Sequence, residues 1–307
     1  GIGEPFPVSS NSGKGSGDLL AKVVESLPEV PHGELQDENA LYVAVIGKPN
    51  VGKSSFINRL LGQDRLVVSE IAGTTRDSID TPMRYMDKSI IFVDTAGLRR
   101  QSKVDAGVEY FSTLRTERAI DRADICILLI DATEDEIHIQ DLRIAEKAWK
   151  KGVSLIVVAN KWDLVEKETG TAEKFEKKFK ERAPQLRWVP VLFTSALTGQ
   201  RVQKVLDLVL QVAEQRVRRV STSSVNEVIK ELAIHQPPPH YRGGHVKLMY
   251  ATQAETAPPT FVIFTNYPKA IPDSYMRYLL HGFRDAWGFW GSPIRIRLRS
   301  KREEQQE

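Results

Sequence analysis

The fold of this chain is decided by the stretch Gly47-Lys48-Pro49-Asn50-Val51-Gly52-Lys53-Ser54. An apolar run over 41–46 precedes it and predicts a buried strand, and residues 55–60 follow it as the predicted start of a helix. A loop with glycines at both ends, followed by Lys-Ser at a helix start, is typical of a phosphate-binding P-loop. Its N–H groups and the positive end of the helix favour an anion. We therefore predict a nucleotide site in which Lys53 reaches the β- and γ-phosphates and the Ser54 hydroxyl binds Mg²⁺.

The identity of the base is indicated by Asn160-Lys161-Trp162-Asp163, which directly follows the apolar run 153–159. A carboxylate at a strand end can accept from both N1–H and the exocyclic amine of guanine, whereas adenine has no donor at N1. A site whose polar groups would be left unpaired discriminates strongly against the wrong base. We therefore expect Asp163 to select guanine, Asn160 to hold the loop and contact the base, and Lys161 to lie over its face.

Two further segments are expected to sense the γ-phosphate. The first, Asp94-Thr95-Ala96-Gly97, ends the predicted strand 89–94. The Asp94 carboxylate is therefore expected to hold Mg²⁺, mostly through water, and the Gly97 N–H to meet the γ-phosphate. The second is the loop 72–77, which contains Thr74 and Thr75. One of these threonines should close over Mg²⁺ only when the γ-phosphate is present, and we favour Thr75.

The segment Thr194-Ser195-Ala196, after the last predicted strand, completes the base pocket. Four motifs in this order predict a GTPase that uses GTP or GDP and Mg²⁺. The predicted nucleotide-binding residues are Gly47, Pro49, Asn50, Val51, Gly52, Lys53, Ser54, Ser55, Asp94, Gly97, Asn160, Lys161, Asp163, Ser195 and Ala196. The predicted catalytic residues are Lys53, Thr75 and Gly97, and the predicted Mg²⁺ ligands are Ser54, Thr75 and Asp94.

Strands alternate with helices from residue 41 to about 218, which predicts an α/β domain with a mostly parallel sheet and helices on both faces. The predicted strands are 41–46, 81–86, 89–94, 125–131, 153–159 and 189–194, and the predicted helices are 53–62, 105–121, 138–151, 172–182 and 200–217. Asp87-Lys88 predicts a hairpin and therefore an antiparallel edge. Residues 223–302 predict a smaller α+β domain in the order α-β-β-α-α-β, with helices at 224–235 and near 272–288.

Composition is ordinary for a globular protein of two domains: 307 residues, 41% hydrophobic and 27% charged, with a net charge of +3. Residues 1–39 carry 2 basic and 7 acidic side chains, so the basic excess lies in the rest of the chain. No apolar run approaches the ~20 residues that span a bilayer, so no membrane role is expected. The single cysteine, Cys126, predicts a buried thiol and a reducing compartment.

The first 27 residues predict an incomplete copy of a later segment. Ser9, Ser12, Gly13 and Leu20 align with Ser195, Thr198, Gly199 and Leu206, and each segment reads as a strand end, a Ser-rich turn and a helix. The alternative is two similar turns by chance. Residues 28–39 contain Pro, Gly and four acidic residues and predict a linker. We therefore expect a domain remnant at 1–27, a linker at 28–39, a GTPase domain at 40–220, a second domain at 223–302 and a tail at 303–307.

Several of these motifs together resemble the EngA/Der GTPases of ribosome assembly. The resemblance rests on the P-loop, on Gly73-Thr74-Thr75-Arg76-Asp77, on 94–100, on 131–134 and 140–144, and on 250–253 with 258–261. It implies two tandem GTPase domains followed by a KH-like domain, so residues 1–27 would be the tail of the first GTPase domain. It also implies the large ribosomal subunit or its precursor, and ribosomal RNA, as partners of a monomeric, cytoplasmic protein. A plastid stroma is the alternative compartment.

One position departs from the pattern of Ras-type enzymes. Leu98 follows Gly97, where those enzymes place the glutamine that orients the attacking water, so slow intrinsic turnover is expected. Related GTPases without this glutamine use K⁺, held partly by an asparagine of the P-loop. Asn50 occupies the matching place, so the resemblance implies K⁺ there and adds Asn50 to the catalytic residues. The alternative is that Asn50 only shapes the loop.

The C-terminal domain resembles a KH fold without the Gly-x-x-Gly loop at the usual place. Its last predicted strand, 293–299, alternates isoleucine or leucine with arginine, so Arg295, Arg297 and Arg299 are expected on one face. Such an arginine face is typical either of a surface that contacts RNA or of a solvent-exposed edge strand whose charges prevent aggregation. The domain could instead be a regulatory protein-interaction module. A third class, an RNA-modifying or membrane-linked GTPase, is disfavoured because the chain has no catalytic Cys and no amphipathic membrane helix.

Overall fold

The computed structural model describes residues 7–8, 19, 22, 40–62, 80–95, 109–134, 136–241 and 244–300. The chain forms two compact units, Gly1–Glu38 and Asn39–Glu307. Only positions 7, 8, 19 and 22 of the first unit belong to the described residues, so the predicted repeat and linker lie almost wholly outside them. No helix among the described residues is long and apolar enough to cross a membrane.

In the first part of the second unit, the residues that the structure describes form a six-stranded sheet. Its strands are β1 (Leu41–Ile46), β2 (Thr81–Tyr85), β3 (Lys88–Val93), β4 (Ile125–Asp131), β5 (Ser154–Asn160) and β6 (Val191–Phe193), in the order β2-β3-β1-β4-β5-β6. All neighbouring pairs are parallel except β2 and β3. Met86 and Asp87 have φ of 46° and 59°, which suits the tight turn between those two strands. The predicted antiparallel edge is therefore confirmed.

Helices of the described residues cover this sheet: α1 (Lys53–Leu61), α2 (Glu109–Arg122), α3 (Ile139–Lys151), α4 (Thr171–Arg182) and α5 (Val202–Val217). Alternate residues of β1 enter two separate cores, because successive side chains of a strand point to opposite faces. One core contains Val43 and Val45 with side chains of α1 and α5. The other contains Ala44 and Ile46 with side chains of α2, α3 and α4. This burial on both faces explains why every residue of β4 and β5 is buried.

The C-terminal domain contains helices α6 (Thr222–His235) and α7 (Asp273–Trp287). Its strands are β7 (His240–Tyr241), β8 (Gly244–His245), β9 (Leu248–Thr256), β10 (Pro259–Thr265) and β11 (Arg295–Arg299). The three longest strands form a sheet in the order β11-β10-β9, in which β10 runs parallel to β11 and antiparallel to β9. Phe261, Phe283 and Phe289 are fully buried in its core, so Phe289 is a core residue.

The predicted pair of helices near 272–288 is wrong, because α7 is a single helix preceded by a 3-10 turn at Pro268–Ala270. Gly282 does not break this helix. A Cβ at that position would lie 2.5 Å from two methyl carbons of Leu232, so the missing side chain lets α6 pack closely against α7. The glycine therefore serves helix packing rather than a chain break.

The segment after α7 joins the two domains. Leu155 N–H at the start of β5 donates to the Gly291 carbonyl at 2.7 Å, and Gly291 N–H donates to the Trp188 carbonyl at 2.9 Å. Trp290 packs against the GTPase-domain core, not its own. The Gln215 side chain accepts from Phe289 N–H at 3.1 Å. The C-terminal domain is therefore anchored where β5 begins, at the opposite end of that strand from Asn160.

Candidate nucleotide-binding site

The loop between β1 and α1 depends on its two glycines. Gly47 has φ of +141°, and a Cβ there would lie 2.4 Å from the Leu129 carbonyl oxygen. Gly52 has φ of +98°, and a Cβ there would lie 2.5 Å from the Asn160 side-chain nitrogen. Both positions therefore require glycine by conformation and by space. The result is a loop that starts deep in the sheet and turns into the helix at Lys53.

Lys53 lies across this loop rather than in solvent. Its Nζ donates to the carbonyls of Gly47 at 2.9 Å and Lys48 at 2.7 Å. Burial lowers the pKa of Lys53 to about 8, although the charge of Asp141 acts in the opposite direction. Burial disfavours the charged form of Lys53, and a negatively charged phosphate beside it would stabilise that form again. The backbone N–H groups of the loop favour the same ligand.

Asn160, at the end of β5, ties the loop to the other motifs. Its Nδ2 donates to the Val51 carbonyl at 2.9 Å. Its Oδ1 accepts from Ala196 N–H at 2.9 Å and from the Thr194 hydroxyl at 3.4 Å. The side chain is fully buried, so these contacts satisfy its polar atoms inside the protein. The two predicted halves of the site therefore meet at one amide.

Asp163 has a buried acceptor of the kind that the predicted recognition of guanine requires. Its Oδ1 is buried and has no hydrogen-bond partner, while the residue as a whole is half-buried. A buried oxygen without a donor costs free energy, so the site is arranged for a ligand that brings a donor. The two N–H groups on one edge of guanine have the required chemistry. Adenine has no donor at N1 and would leave the cost in place.

Lys161 is oriented by Asp131 at the end of the neighbouring strand. Lys161 has φ of +63°, and its Nζ donates to Asp131 Oδ2 at 2.5 Å. Burial raises the pKa of Asp131, but the hydrogen bonds from Lys161 and Thr133 outweigh it, so the net pKa is lowered. This charged pair fixes the direction of the Lys161 side chain, which the sequence predicts to lie over the face of the base.

Ser195 and Ala196, which the sequence predicts to complete the base pocket, lie in the turn after β6. Both are buried, and Ser195 Oγ accepts from Thr198 N–H at 3.0 Å, which closes the turn after β6. The Ala196 carbonyl accepts from Arg59 Nε at 3.2 Å. Arg59 lies in α1, so the turn is attached to the helix that begins with Lys53.

Asp94 directly follows β3 in a strained conformation, with φ of +57°. Its N–H donates to Asp80 Oδ1 at 3.1 Å, and Asp80 forms an ion pair with Arg122. Burial raises the pKa of Asp94, so a cation beside it would relieve the cost of its charge. Asp94 and Ser54 are therefore chemically suited to hold Mg²⁺. Thr74, Thr75, Gly97 and Leu98 lie outside the described residues, so their predicted roles stay predictions.

The other predicted loop residues differ in exposure. Val51 is fully buried, whereas Pro49, Asn50 and Ser55 are exposed. Asn50 has φ of +64°, the left-handed conformation that asparagine tolerates better than most residues. The described residues contain no group of three or more His, Cys, Asp and Glu side chains that could hold a metal ion. The predicted Mg²⁺ site needs none, because hydroxyl, water and phosphate oxygens supply most of its ligands.

Asp141 is a residue of this site that the motifs did not predict. It lies in α3 with its side chain fully buried, and Oδ1 accepts from Lys48 N–H at 3.2 Å. Its Oδ2 is buried without a partner, and burial raises its pKa. Lys48 also forms an ion pair with Glu134, which precedes α3. Glu134 and Asp141 therefore support the P-loop from outside, and the Asp141 contact spans 93 positions that no local pattern connects.

The predicted arginine face of β11 is only partly available. Arg295 donates to the Lys151 carbonyl at 2.7 Å, in the junction between the domains. Arg297 pairs with Glu255 at 2.8 Å, and Arg299 is half-buried. Ile296 and Leu298 pack against the core of the domain, as the alternation predicts. The face is thus engaged with the protein itself at Arg295 and Arg297.

Comparison with known proteins agrees with this geometry. A family model described as a 50S ribosome-binding GTPase matches residues 42–161, and one described as the C-terminal KH-domain-like region of EngA bacterial GTPases matches 219–299. The protein named GTPase Der from Gemmatimonas aurantiaca is 59% identical over 302 residues, which are 98% of this chain and 68% of that protein. The chain belongs to the GTPase Der family.

Other members of the GTPase Der family are similar along the same length. The Moorella thermoacetica protein is 47% identical over 303 residues, 99% of this chain and 68% of that protein. Among solved structures, Era from Aquifex aeolicus bound to GDP and AlF4⁻ has 18% identity and a TM-score of 0.42, covering 85% of this chain and 93% of that one. Membership of the GTPase Der family confirms the predicted P-loop GTPase fold, the KH-like domain and GTP hydrolysis. It implies GTP or GDP, and usually Mg²⁺, as ligands.

Proposed function

We propose that this GTPase is a switch in the assembly of the large ribosomal subunit and that it docks on the ribosome or its RNA through the KH-like domain. The dependence of this switch on a guanine nucleotide is supported by the buried Asp163 Oδ1, which has no hydrogen-bond partner. The ribosomal part is supported by the GTPase family model over residues 42–161, whose description is a 50S ribosome-binding GTPase. The protein acts as a monomer in the cytoplasm or in a plastid stroma.

We assign the nucleotide contacts as follows. The P-loop residues 47–55 surround the phosphates, with Lys53 at the β- and γ-phosphates. Ser54, Thr75 and Asp94 hold Mg²⁺, and Gly97 N–H meets the γ-phosphate. Asn160, Lys161, Asp163, Ser195 and Ala196 surround the base. Catalysis in this arrangement is mainly positioning and electrostatic stabilisation of the charge that develops on the phosphate oxygens.

We assign a K⁺ ion to Asn50 as a substitute for the glutamine that Leu98 replaces. The support is that Asn50 is exposed on the loop and held in a left-handed conformation, so its amide is free of the protein core. The test is steady-state GTP hydrolysis in KCl against NaCl at equal ionic strength. A several-fold higher rate in KCl that Asn50→Ala removes would support the ion. Equal slow rates in both salts would exclude it.

We assign the chain a remnant of a first GTPase domain at 1–27, a linker at 28–39, a GTPase domain at 40–220, a KH-like domain at 223–302 and a tail at 303–307. In this arrangement the GTP state must be communicated to a ribosome-facing domain. The junction around Gly291 supports that view, because it joins the KH-like domain to the strand that ends in Asn160.

The ribosomal role is tested by co-sedimentation of the whole chain with purified large subunits. We expect the chain to pellet with the subunits in the presence of a non-hydrolysable GTP analogue and to remain in the supernatant with GDP. Asp163→Asn, which should bind GTP more weakly, is the matched control and should pellet less than the unmodified chain with the same analogue. Pelleting that is equal in all three samples would contradict a GTP-dependent switch.

A second candidate function is favoured by the same junction. Arg295 and the residues around Gly291 are engaged with the GTPase domain, as expected for a regulatory domain that docks on the GTPase and never contacts RNA. In that case, weakening the junction should change the rate of GTP hydrolysis without changing co-sedimentation. Gly291→Ala is the suitable variant, and the two readouts separate the candidates.

A further inference from the structure

A cavity of about 470 Å³ lies between the GTPase domain and the KH-like domain, away from the P-loop. Trp149, Arg187 and Trp188 line it from the GTPase domain, and Arg277, His281 and Arg284 line it from the KH-like domain. Its volume is within the range of about 300–1,000 Å³ that is usual for small-ligand sites. None of its lining residues is acidic. The cavity is therefore both large enough for a ligand group and positively charged.

Arg284 is the unusual residue of this cavity. It is 6% exposed, and its guanidinium donates to the carbonyls of Phe289 at 2.5 Å and Ser292 at 2.6 Å. Burial lowers the pKa of Arg284 to about 10, so it stays charged at neutral pH. Among the described residues, no carboxylate forms an ion pair with it. Buried charges are normally paired with an opposite charge, so this cation leaves a local demand for an anion.

Aromatic rings surround this charge. The guanidinium carbon of Arg284 lies 4.8 Å from the ring centre of Trp188 and 5.4 Å from that of Trp149. Trp188 also contacts His281 edge-on, with 4.9 Å between ring centres. Both tryptophans are half-buried and therefore present part of their rings to the cavity. Arg187 and Arg277 are exposed at its rim, and in the described part of the chain neither forms an ion pair with an acid.

We propose that this cavity binds one unpaired nucleotide of RNA, with the base against the tryptophans and the phosphate at Arg187 and Arg277. Stacking of bases on aromatic rings, beside arginines that contact the backbone, is the usual chemistry of single-stranded RNA recognition. An acidic protein segment would satisfy the arginines but would not use the aromatic rings. The proposal rests on the ribosomal function above and names the place where RNA enters.

The test uses the whole chain and a fluorescein-labelled single-stranded decaadenylate, with binding followed by fluorescence anisotropy. Arg277→Glu should weaken binding at least tenfold, because it replaces an attraction to phosphate by a repulsion. Lys230→Glu makes the same charge change on an exposed part of α6 and should change the affinity less than twofold. Arg277→Gln should also reduce the slope of log affinity against log salt by about 0.7, as expected for one lost phosphate contact on a single strand.

The predicted contact between the base and the tryptophans is tested by tryptophan fluorescence. Binding of unlabelled decaadenylate should quench the fluorescence of the unmodified chain, and Trp188→Phe should remove a large part of that quenching. Equal affinity of the unmodified chain and Arg277→Glu would overturn the proposal. Tighter binding of deca-glutamate than of decaadenylate would also overturn it and would assign the cavity to protein. Competition by AMP as strong as that by decaadenylate would assign it to a free mononucleotide instead.

Failure of this proposal can be told from failure of the ribosomal function. If Arg277→Glu still pellets with large subunits in the GTP-analogue state and still binds decaadenylate normally, the cavity assignment is wrong and the ribosomal function stands. If the unmodified chain does not pellet with large subunits, the ribosomal function is wrong whatever decaadenylate does. Basal GTP hydrolysis should be the same in Arg277→Glu and the unmodified chain, which checks that the nucleotide site is intact.

Discussion

The side-chain nitrogen of Asn160 donates to the Val51 carbonyl at 2.9 Å, a contact between positions 109 residues apart. The oxygen of the same amide accepts from Ala196 N–H at 2.9 Å. One buried side chain therefore holds the P-loop, the end of β5 and the turn after β6 in a single arrangement. Residues predicted to contact the phosphates and residues predicted to contact the base are connected through it.

Asn160→Ala should weaken GTP binding at least tenfold and lower stability. The variant leaves the Val51 carbonyl and Ala196 N–H buried without partners, and each unpaired group costs roughly 1–3 kcal/mol. Nucleotide titration and thermal unfolding measure the two effects. Asn226→Ala is a matched control, because the Asn226 side chain likewise makes three hydrogen bonds, here to backbone groups of Thr222 and Ala251. It should lose stability and keep its GTP affinity, and an equal loss of affinity in both variants would contradict the role of Asn160.

Asp163→Asn should weaken GTP binding and favour xanthosine nucleotides. The NH₂ group of the new amide can donate to the 2-oxo group of xanthine. In guanine it would face the exocyclic amine, which is also a donor, so no hydrogen bond forms. Loss of a hydrogen bond to a charged acceptor in a buried site costs about 1.5–3 kcal/mol. Competition binding with GTP and XTP measures the change. A variant that keeps its preference for GTP would contradict the assignment of Asp163 to the base.

Lys53→Met should abolish GTP binding and stabilise the nucleotide-free chain in a pH-dependent way. The pKa of Lys53 is lowered by burial from its ordinary value of 10.5 to about 8. Between these values the unfolded chain binds more protons, so the unmodified protein gains stability as the pH rises from 8 to 10.5. The stability advantage of Lys53→Met should thus be largest below pH 8 and shrink above it. Denaturant unfolding of both proteins at pH 7 and pH 10 checks this, and an advantage independent of pH would contradict the burial cost.

Gly291→Ala should destabilise the junction between the domains. Gly291 has φ of +69°, and a Cβ there would lie 2.7 Å from a methyl carbon of Val212. The backbone conformation costs about 1–2 kcal/mol for a non-glycine residue, and the overpacking adds about 1–3 kcal/mol. Gly170→Ala is the control, because Gly170 also has a positive φ but its nearest added contact is 3.8 Å. Gly170→Ala should be destabilised only by the backbone conformation, so it should unfold at a higher temperature than Gly291→Ala. Equal thermal stability of the two variants would contradict close packing at Gly291.

Much of the fold could be predicted from sequence because its signals are local. The runs 41–46 and 125–131 are continuous and apolar, and they form the strands β1 and β4 with those same bounds. Strand β6 is shorter than predicted, Val191–Phe193 instead of 189–194, and it begins directly after Pro190, which has no N–H to give to the sheet. The pair of helices predicted near 272–288 is a single helix, and the sequence alone does not show that Gly282 within it admits the close approach of Leu232.

The sequence by itself determined the order of the elements, the glycines of the P-loop and the residue types expected around a guanine nucleotide. These follow from short-range preferences: periodicity of apolar residues, the conformational freedom of glycine and the hydrogen-bonding capacity of each side chain. Only the tertiary structure decided that Asp141 supports the loop from α3, that Arg295 is engaged at the junction, and that Arg284 lies buried between two tryptophans. Those properties depend on contacts between distant parts of the chain, whose burial and pairing no local pattern specifies.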